Sequence, residues 1–452
     1  MTFKIFSHIS REFGVHSLVR ASRDVKLLIL IKVVRMIAFG QSSIFLVQFF
    51  HSHGYPTHLT GAFMSCTLVG DVVISYFLTM NADRLGRRRV LIFGALLMAV
   101  PGIIFAVSNN FYVLLLAAIL GVISPSGADI GPFKAIEEST LAHLVPKEHR
   151  NEIYAWYSFS ATLATAFGNF SSGAFVNYLT SSHLDLSLLS AYKLIFVLFA
   201  FCGALKLVFS LLLSNNIETE EYLTLKQEES QNARETLPLL NEEIPQSETS
   251  FPSKKFSLLP NLSSESTAIV IKLSLLFALD SFASSLVQRT WMSYYISKKF
   301  SLSPEVLGST FFSTGIISAF TMLVSSSIAK RLGPVLTMSL THLPSSLLLG
   351  FIPLPSTFIV TFAIFIFRSC TSHMNIAPRQ AFLSMVVKPS ERTAVMGWTN
   401  VVRTNSQIFG PSITGYLAGK DAQWISFVIA GVLKVVYDLL IVLTFALKSF
   451  DY

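Results

Sequence analysis

Five polar residues sit inside long apolar runs: Arg35, Asp280, Arg368, Asn375 and Arg403. An ionisable side chain within such a run is a functional candidate by default, because hydrocarbon gives a charge no solvation. A guanidinium can grip a carboxylate or phosphate through two parallel hydrogen bonds. Arg35 and Arg368 therefore suit the binding of an anionic group, with Asp280 as a proton carrier. The same residues also admit a plain structural role, with Asp280 clamped to Arg368 or Arg289 between two helices. Spacing gathers polar residues onto shared helix faces. Arg368, Thr371, Asn375 and Arg379 follow i, i+3, i+7 and i+11. Asp280, Ser284, Gln288 and Trp291 form a second stripe, and Asn400, Arg403 and Gln407 a third.

Other ionisable residues widen the set. Asp129 and Asp71 are further proton-carrying candidates; Asp71 could instead pair with Lys32 or Arg35. Lys206, Lys272, Lys434 and Asp438 also fall in apolar runs, and Lys434 and Asp438 are spaced to pair at i and i+4. No G-x-S-x-G, H-E-x-x-H or phosphate-cradling glycine loop occurs. Cys66, Cys202 and Cys370 lie in apolar runs without metal-site spacing. We expect no enzyme activity, no metal and no cofactor. Without an ATP site, any uphill work must draw on a gradient, most simply of protons.

The elements that position these residues follow from composition. Of 452 residues, 52% are hydrophobic and 13% charged, and mean hydropathy is +0.58. Soluble domains carry about 25% charged residues. Apolar runs of membrane length without strict alternation predict spanning helices. They fall near 27–50, 58–80, 88–107, 111–136, 151–179, 191–213, 267–297, 304–328, 332–352, 356–386, 391–418 and 422–447. The net charge of +8 is concentrated in alternate turns, including Arg84, Arg87, Arg88, Arg89, Lys147, Arg150, Lys330, Arg331, Lys388 and Arg392. That is a membrane-orientation bias, which argues against a nucleic-acid partner and places both termini in the cytosol. The domain plan is a cytosolic tail (1–26), a six-helix bundle (27–214), a disordered cytosolic linker (215–265), a second six-helix bundle (266–448) and a short cytosolic end (449–452). Within the linker, Glu235-Thr-Leu-Pro-Leu-Leu240 has the form of an acidic dileucine sorting signal. It favours a vacuolar or other endomembrane, with the plasma membrane as the alternative.

Between the second and third runs stands Asn81-Ala-Asp-Arg-Leu-Gly-Arg-Arg-Arg89. Ala82, Asp83, Arg84, Gly86, Arg87 and Arg88 resemble the signature of the major facilitator superfamily, whereas Thr79 and Asn81 depart from it. The halves also repeat. Gly61 to Leu85 and Gly308 to Leu332 are both 24 residues apart, and Arg150 to Gly168 and Arg392 to Gly410 both 18. Pro132-Phe-Lys-Ala135 echoes Pro378-Arg-Gln-Ala381. The stretch Ser124 to Ser139 resembles an uncharacterised fungal branch of the superfamily.

The resemblance implies an all-α membrane protein with twelve transmembrane helices in two pseudo-symmetric six-helix bundles, the major facilitator fold. Its first, fourth, seventh and tenth helices would line a central cavity. It implies that Glu137, Glu138 and Arg150 meet the Asp83–Arg88 turn, and that Asp83, Arg84, Gly86, Arg87, Arg88 and Arg331 act in gating. Bends at Pro125, Pro132, Pro378 and Pro411 would suit rocking of the halves. The expected function is secondary active transport of a small organic solute by alternating access, coupled to protons. The expected partners are the lipid bilayer, the solute and protons, with the chain as a monomer. The alternatives are a cation:proton drug antiporter and a non-transporting sensor or scaffold on the same fold.

Overall fold

Small polar residues set where the helices begin. Ser22, Asn110, Ser187 and Ser303 each precede an apolar run, and each side-chain oxygen accepts a backbone N–H of the first turn. Pro304 follows Ser303 at a position where a missing N–H costs nothing. The computed structural model describes residues 15–121, 123, 132–146, 148–181, 184–219, 222–224, 264–375, 378–379, 382–383 and 392–446. Asp129, Lys147, Lys388, Pro125, the Glu235–Leu240 motif and residues 449–452 lie outside them, as do the side chains of Asp83, Arg84 and Lys330.

The N-terminal half contains α1 (Val15–Arg20), α2 (Arg23–Ser43), α3 (Leu46–Ser52), α4 (Thr57–Leu85), α5 (Arg87–Val107), α6 (Phe111–Leu120), α7 (Pro132–Leu144), α8 (Arg150–Leu179) and α9 (Leu188–Leu211). The C-terminal half contains α10 (Ser264–Leu286), α11 (Arg289–Phe300), α12 (Pro304–Leu332), α13 (Pro334–Phe351), α14 (Phe358–Ser372), α15 (Arg392–Gln407), α16 (Gly410–Gly419) and α17 (Trp424–Ile441), which ends in a π turn. Each expected span overlaps one or two of these helices. Among the described residues, five stretches are each long and apolar enough to cross a bilayer, and α2 with α3, bent by 42°, makes a sixth.

The structure corrects several sequence expectations. The run 267–297 breaks between Leu286 and Arg289, and 391–418 breaks between Gln407 and Gly410. The helix expected over 356–386 ends at Ser372, so Arg368, Thr371, Asn375 and Arg379 do not share one continuous helix. Pro411 stands in the first turn of α16 and bends nothing there; among the described residues Pro101 and Pro344 lie inside helices. The expected disorder does not begin at 215. Asn215–Ile217 form a 3₁₀ turn, and Glu218 and Tyr222 are buried.

Glycines bring the two halves together in symmetric pairs. Gly61 of α4 lies against Gly415 of α16, and Gly308 of α12 against Gly173 of α8. A Cβ on Gly61 would stand 2.5 Å from the Pro411 carbonyl oxygen, and one on Gly308 2.6 Å from that of Asn169. Only hydrogen fits at such contacts. The repeat spacing of Gly61 and Gly308 thus marks equivalent closures. Polar bonds between the halves lie on the same side: Gln48 donates to Ser293 (3.2 Å), Ser412 to Ser65 (2.7 Å) and Asn177 to Glu305 (2.9 Å). This is the end remote from Arg23, where α2 starts. Among the described residues no such bond joins the halves at the other end. The molecule is closed at the end distant from its termini.

Replacing Gly308 by Val should prop that closure open. In a background free of Cys66, Cys202 and Cys370, cysteines at 177 and 305 should be joined by a short thiol cross-linker. Gly308→Val should reduce the cross-linked fraction several-fold, as read by gel mobility after proteolysis between the halves.

Candidate functional site

The ionisable residues within the helices fall into three groups. The first lies in the N-terminal half, where α2 carries Lys32 and Arg35 three residues apart and so on one face. Arg35 is 1% exposed, and its Nη2 donates to Glu137 Oε2 at 2.7 Å. The Tyr157 hydroxyl of α8 donates to the same oxygen at 2.5 Å. Lys32 Nζ stands 4.5 Å over the Tyr157 ring. Lys206 of α9 is fully buried, 4.6 Å over the Phe133 ring. Arg35 therefore holds a protein carboxylate where an anionic solute was expected. Glu137 is correspondingly absent from the turn it was expected to gate.

The second group lies in the C-terminal half. Asp280 of α10 accepts from Lys434 Nζ of α17 at 2.6 Å, and Arg379 Nη1 stands at 3.6 Å. Lys434 also donates to Ser284 at 2.7 Å. Arg403 of α15 donates from Nε to Ser281 at 3.2 Å. Asp438 bonds His342 Nδ1 (2.8 Å) and accepts from Ser346 Oγ (2.9 Å). Two expectations are corrected here. Asp280 is clamped by Lys434 and Arg379, not by Arg368 or Arg289. Lys434 and Asp438 do not pair with each other; each reaches across to another helix.

The third group is cationic. Arg289 begins α11 at the break in the seventh span, and Arg368 lies on α14. Arg289 Nη1 and Arg368 Nε are covered from solvent yet meet no hydrogen-bond partner, and among the described residues neither guanidinium has a carboxylate within ion-pair distance. A helix N-terminus adds partial positive charge at Arg289. Asn375 is buried just past the end of α14, and its carbonyl accepts the Arg379 N–H at 3.0 Å.

The turn between α4 and α5 has a partner the sequence did not reveal. Gly86 has φ +89°, the left-handed region that favours glycine. Glu218, just beyond the 3₁₀ turn, accepts the first-turn N–H groups of Arg87 (2.6 Å) and Arg88 (3.1 Å) at the start of α5. Arg88 Nη2 donates to the Leu211 carbonyl at 2.5 Å, and Tyr222 covers Gly86. Arg150 caps the end of α7 through the Ala142 carbonyl (2.6 Å), and Glu138 faces Lys134 at 3.9 Å on the surface. Neither is bonded to the turn among the described residues. Gly333, the repeat of Gly86, also has positive φ, and Arg331 beside it is exposed. Asp71 is half-buried on α4 and has no ion pair among the described residues.

Two helical halves, locked by symmetric glycine contacts and enclosing charged groups paired within each bundle, define a membrane transporter fold. The family model of the Major Facilitator Superfamily matches residues 28–286 and 273–450. The chain belongs to the major facilitator superfamily, whose members are transporters and not enzymes. It is 37% identical over 432 residues to YJR124C of Saccharomyces cerevisiae, described as an uncharacterized membrane protein, covering 94% of each chain. Solved structures share the fold at low identity. A bacterial homologue of the human lysosomal transporter Spinster, inward-facing and occupied, aligns at TM-score 0.67 and 14% identity, covering 93% of this chain and 97% of that one. The inward-open xylose transporter XylE of E. coli aligns at 0.66 and 13%, covering 92% and 95%. The human organic anion transporter MFSD10 aligns at 0.60 and 17%, covering 93% and 99%.

Breaking a buried pair from one side costs about 3–5 kcal/mol, because the remaining charge is stranded. Asp280→Asn should therefore lower the thermal unfolding temperature in detergent well below that of the parent. Asp280→Asn combined with Lys434→Met should recover most of the loss, provided Arg379 can turn toward water.

Proposed function

We propose that this protein is a secondary active transporter that carries a small organic anion by alternating access, driven by a proton gradient. The observation that carries the anionic cargo is the pair Arg289 and Arg368, with covered guanidinium nitrogens that meet no partner. A buried donor left unmade costs about 1–3 kcal/mol. A carboxylate or phosphate on the solute would satisfy two such donors at once. A broken helix whose second segment starts at the cargo is a recurrent way to bind anionic groups in transporters. Arg35 and Asp280, the other two members of the expected triad, are neutralised within their own halves and serve to hold the bundles. MFSD10, which shares the fold, is named as an organic anion transporter. The crossing count of twelve, the monomeric state and the cytosolic termini belong to this same reading.

Closure at the end distant from the termini supports an inward-facing state of the cycle. The positive charge of Arg289 and Arg368 disfavours a cationic drug as cargo. Asp71 is the acidic proton-carrying candidate that no ion pair ties down among the described residues. Residence in a vacuolar or other endomembrane rests on the Glu235–Leu240 motif.

Reconstituted vesicles with an imposed pH gradient should accumulate at least one member of a panel of labelled carboxylates and phosphate esters. Arg289→Ala and Arg368→Ala should each reduce that uptake about tenfold, the loss of one charge-assisted hydrogen bond. Uptake of lipophilic cations in place of anions would establish the drug-antiport reading, and binding without any transfer would establish the sensor reading. For location, Leu239→Ala with Leu240→Ala should move a fluorescent fusion from the endomembrane to the cell surface.

A further inference from the structure

The two seams between the halves are related by the repeat, yet they are built differently. Gly61 is the repeat of Gly308 and Gly415 that of Gly173, so positions on α4 and α12 correspond at a fixed offset, as do positions on α15–α16 and α8. On the α8–α12 seam, contact continues from the glycines toward the end that carries the termini. Phe170 packs on Phe312 at 5.1 Å. A Cβ on Gly315 would stand 2.7 Å from the Ala166 Cβ. Phe159 packs on Phe320 at 5.7 Å. Gly308 to Phe320 is about 18 Å of paired helix at 1.5 Å per residue.

The α4–α16 seam keeps the glycine pair and then departs. Where Phe170 meets Phe312, it has Ser412 donating to Ser65 at 2.7 Å. Where Gly315 meets Ala166, it has Leu68 and Ile408, whose bulk holds the two backbones apart. Where Phe159 meets Phe320, it has Val401 and Val73, which carry no ring to span a gap and are 48% and 61% exposed. The α8 helix is continuous from Arg150 to Leu179, whereas its counterpart breaks between Gln407 and Gly410. Beyond Ser65 the seam is therefore a fork between α4 and α15. Its apex is fixed to the broken seventh span. A Cβ on Gly410 would stand 2.7 Å from the Leu286 nitrogen, and Thr414 donates to the Leu286 carbonyl at 2.6 Å. Leu286 ends α10 three residues before Arg289.

We propose that the cargo is an amphiphile, with its anionic head at Arg289 and its hydrocarbon chain between α4 and α15, entered sideways from the leaflet on the side of the termini. A chain placed there stays among apolar side chains and lipid tails while only the head enters the polar interior. No methylene then has to pass through water. The two phenylalanine pairs bar the equivalent path between α8 and α12, so entry is one-sided. The proposal rests on the anion reading above and narrows it to one class of anion.

The test compares uptake of labelled ethyl phosphate and dodecyl phosphate by vesicles holding the full chain, with protein-free vesicles as background. The parent should favour dodecyl phosphate by about tenfold or more, because each buried methylene adds to binding. Val73→Phe with Val401→Phe copies the barred seam and should reduce that preference several-fold. A dodecyl phosphate with a photoreactive chain end should label α4 or α15 in the parent, a measurement that needs no variant to fold. Equal uptake of the two phosphates, or preference for ethyl phosphate, would overturn the proposal while the anion reading stands. So would labelling confined to other helices, or an unchanged preference in a double variant that unfolds at the parent's temperature. If neither phosphate nor any carboxylate is carried above background, the anion reading falls and this one with it.

Discussion

A charge inside a hydrocarbon layer must be answered by an opposite charge or a hydrogen bond from the same protein. The packing of this chain depends on that requirement more than on any single apolar contact. Asp280 ties the first and last helices of the C-terminal half through Lys434 and recruits Arg379 from the helical turn between them. Asp438 and His342 tie that last helix to α13. In the N-terminal half Arg35, Glu137 and Tyr157 join three helices at one carboxylate oxygen. Lipid tails are as apolar as leucine, so apolar burial alone gives little preference for one helix neighbour over another. The ion pairs supply that preference. They also account for Arg35 and Asp280, which look like binding groups in the sequence and are paired with protein charges in the fold.

Glycine contacts work on the other boundary, between the halves. A helix pair that meets through glycine at both surfaces has close backbone approach without interlocking side chains. Aromatic pairs flank this close approach on the α8–α12 seam, Phe170 with Phe312 at 5.1 Å and Phe159 with Phe320 at 5.7 Å. The Gly61–Gly415 and Gly173–Gly308 pairs thus suit a joint that rocks. The ion-pair networks suit bodies that stay rigid while it does so. The strap formed by Glu218 and Tyr222 belongs to the rigid part, since it fixes the start of α5 to the end of α9.

The backbone was largely legible in the sequence because its rules are local. Apolar run length gave the helices, and the repeated Leu-Gly pairs at 85–86 and 332–333 marked two turns that share a left-handed glycine. The breaks at Leu286–Arg289 and Gln407–Gly410 are not legible, since Gln288 and Gln407 fit the helical polar stripes that continue across them. The site was less legible. Asp280 and Lys434 are 154 residues apart, and an i, i+4 neighbour for Lys434 at Asp438 offered a nearer partner. Which of two carboxylates a lysine meets depends on how helices rotate about their axes, and the run of residues does not encode that in any local way. The Gly-x-Leu-Lys pattern shared by α9 and α17 was the available signal that both lysines point inward. Glu218 was hidden for a different reason: its composition matches the linker, and only the return of the chain beneath α5 turns it into a cap.

Duplication gave this protein two copies of one backbone, and the copies have kept their glycines more faithfully than their charges. Shape must match across the pseudo-symmetric joint, so the positions that set close approach are constrained in pairs. Charge is constrained only within each half, where any set that balances is acceptable. The C-terminal half balances its inward lysine with an aspartate on its first helix. The N-terminal half places Lys32 and Arg35 on the equivalent helix, and Arg35 meets Glu137 of α7.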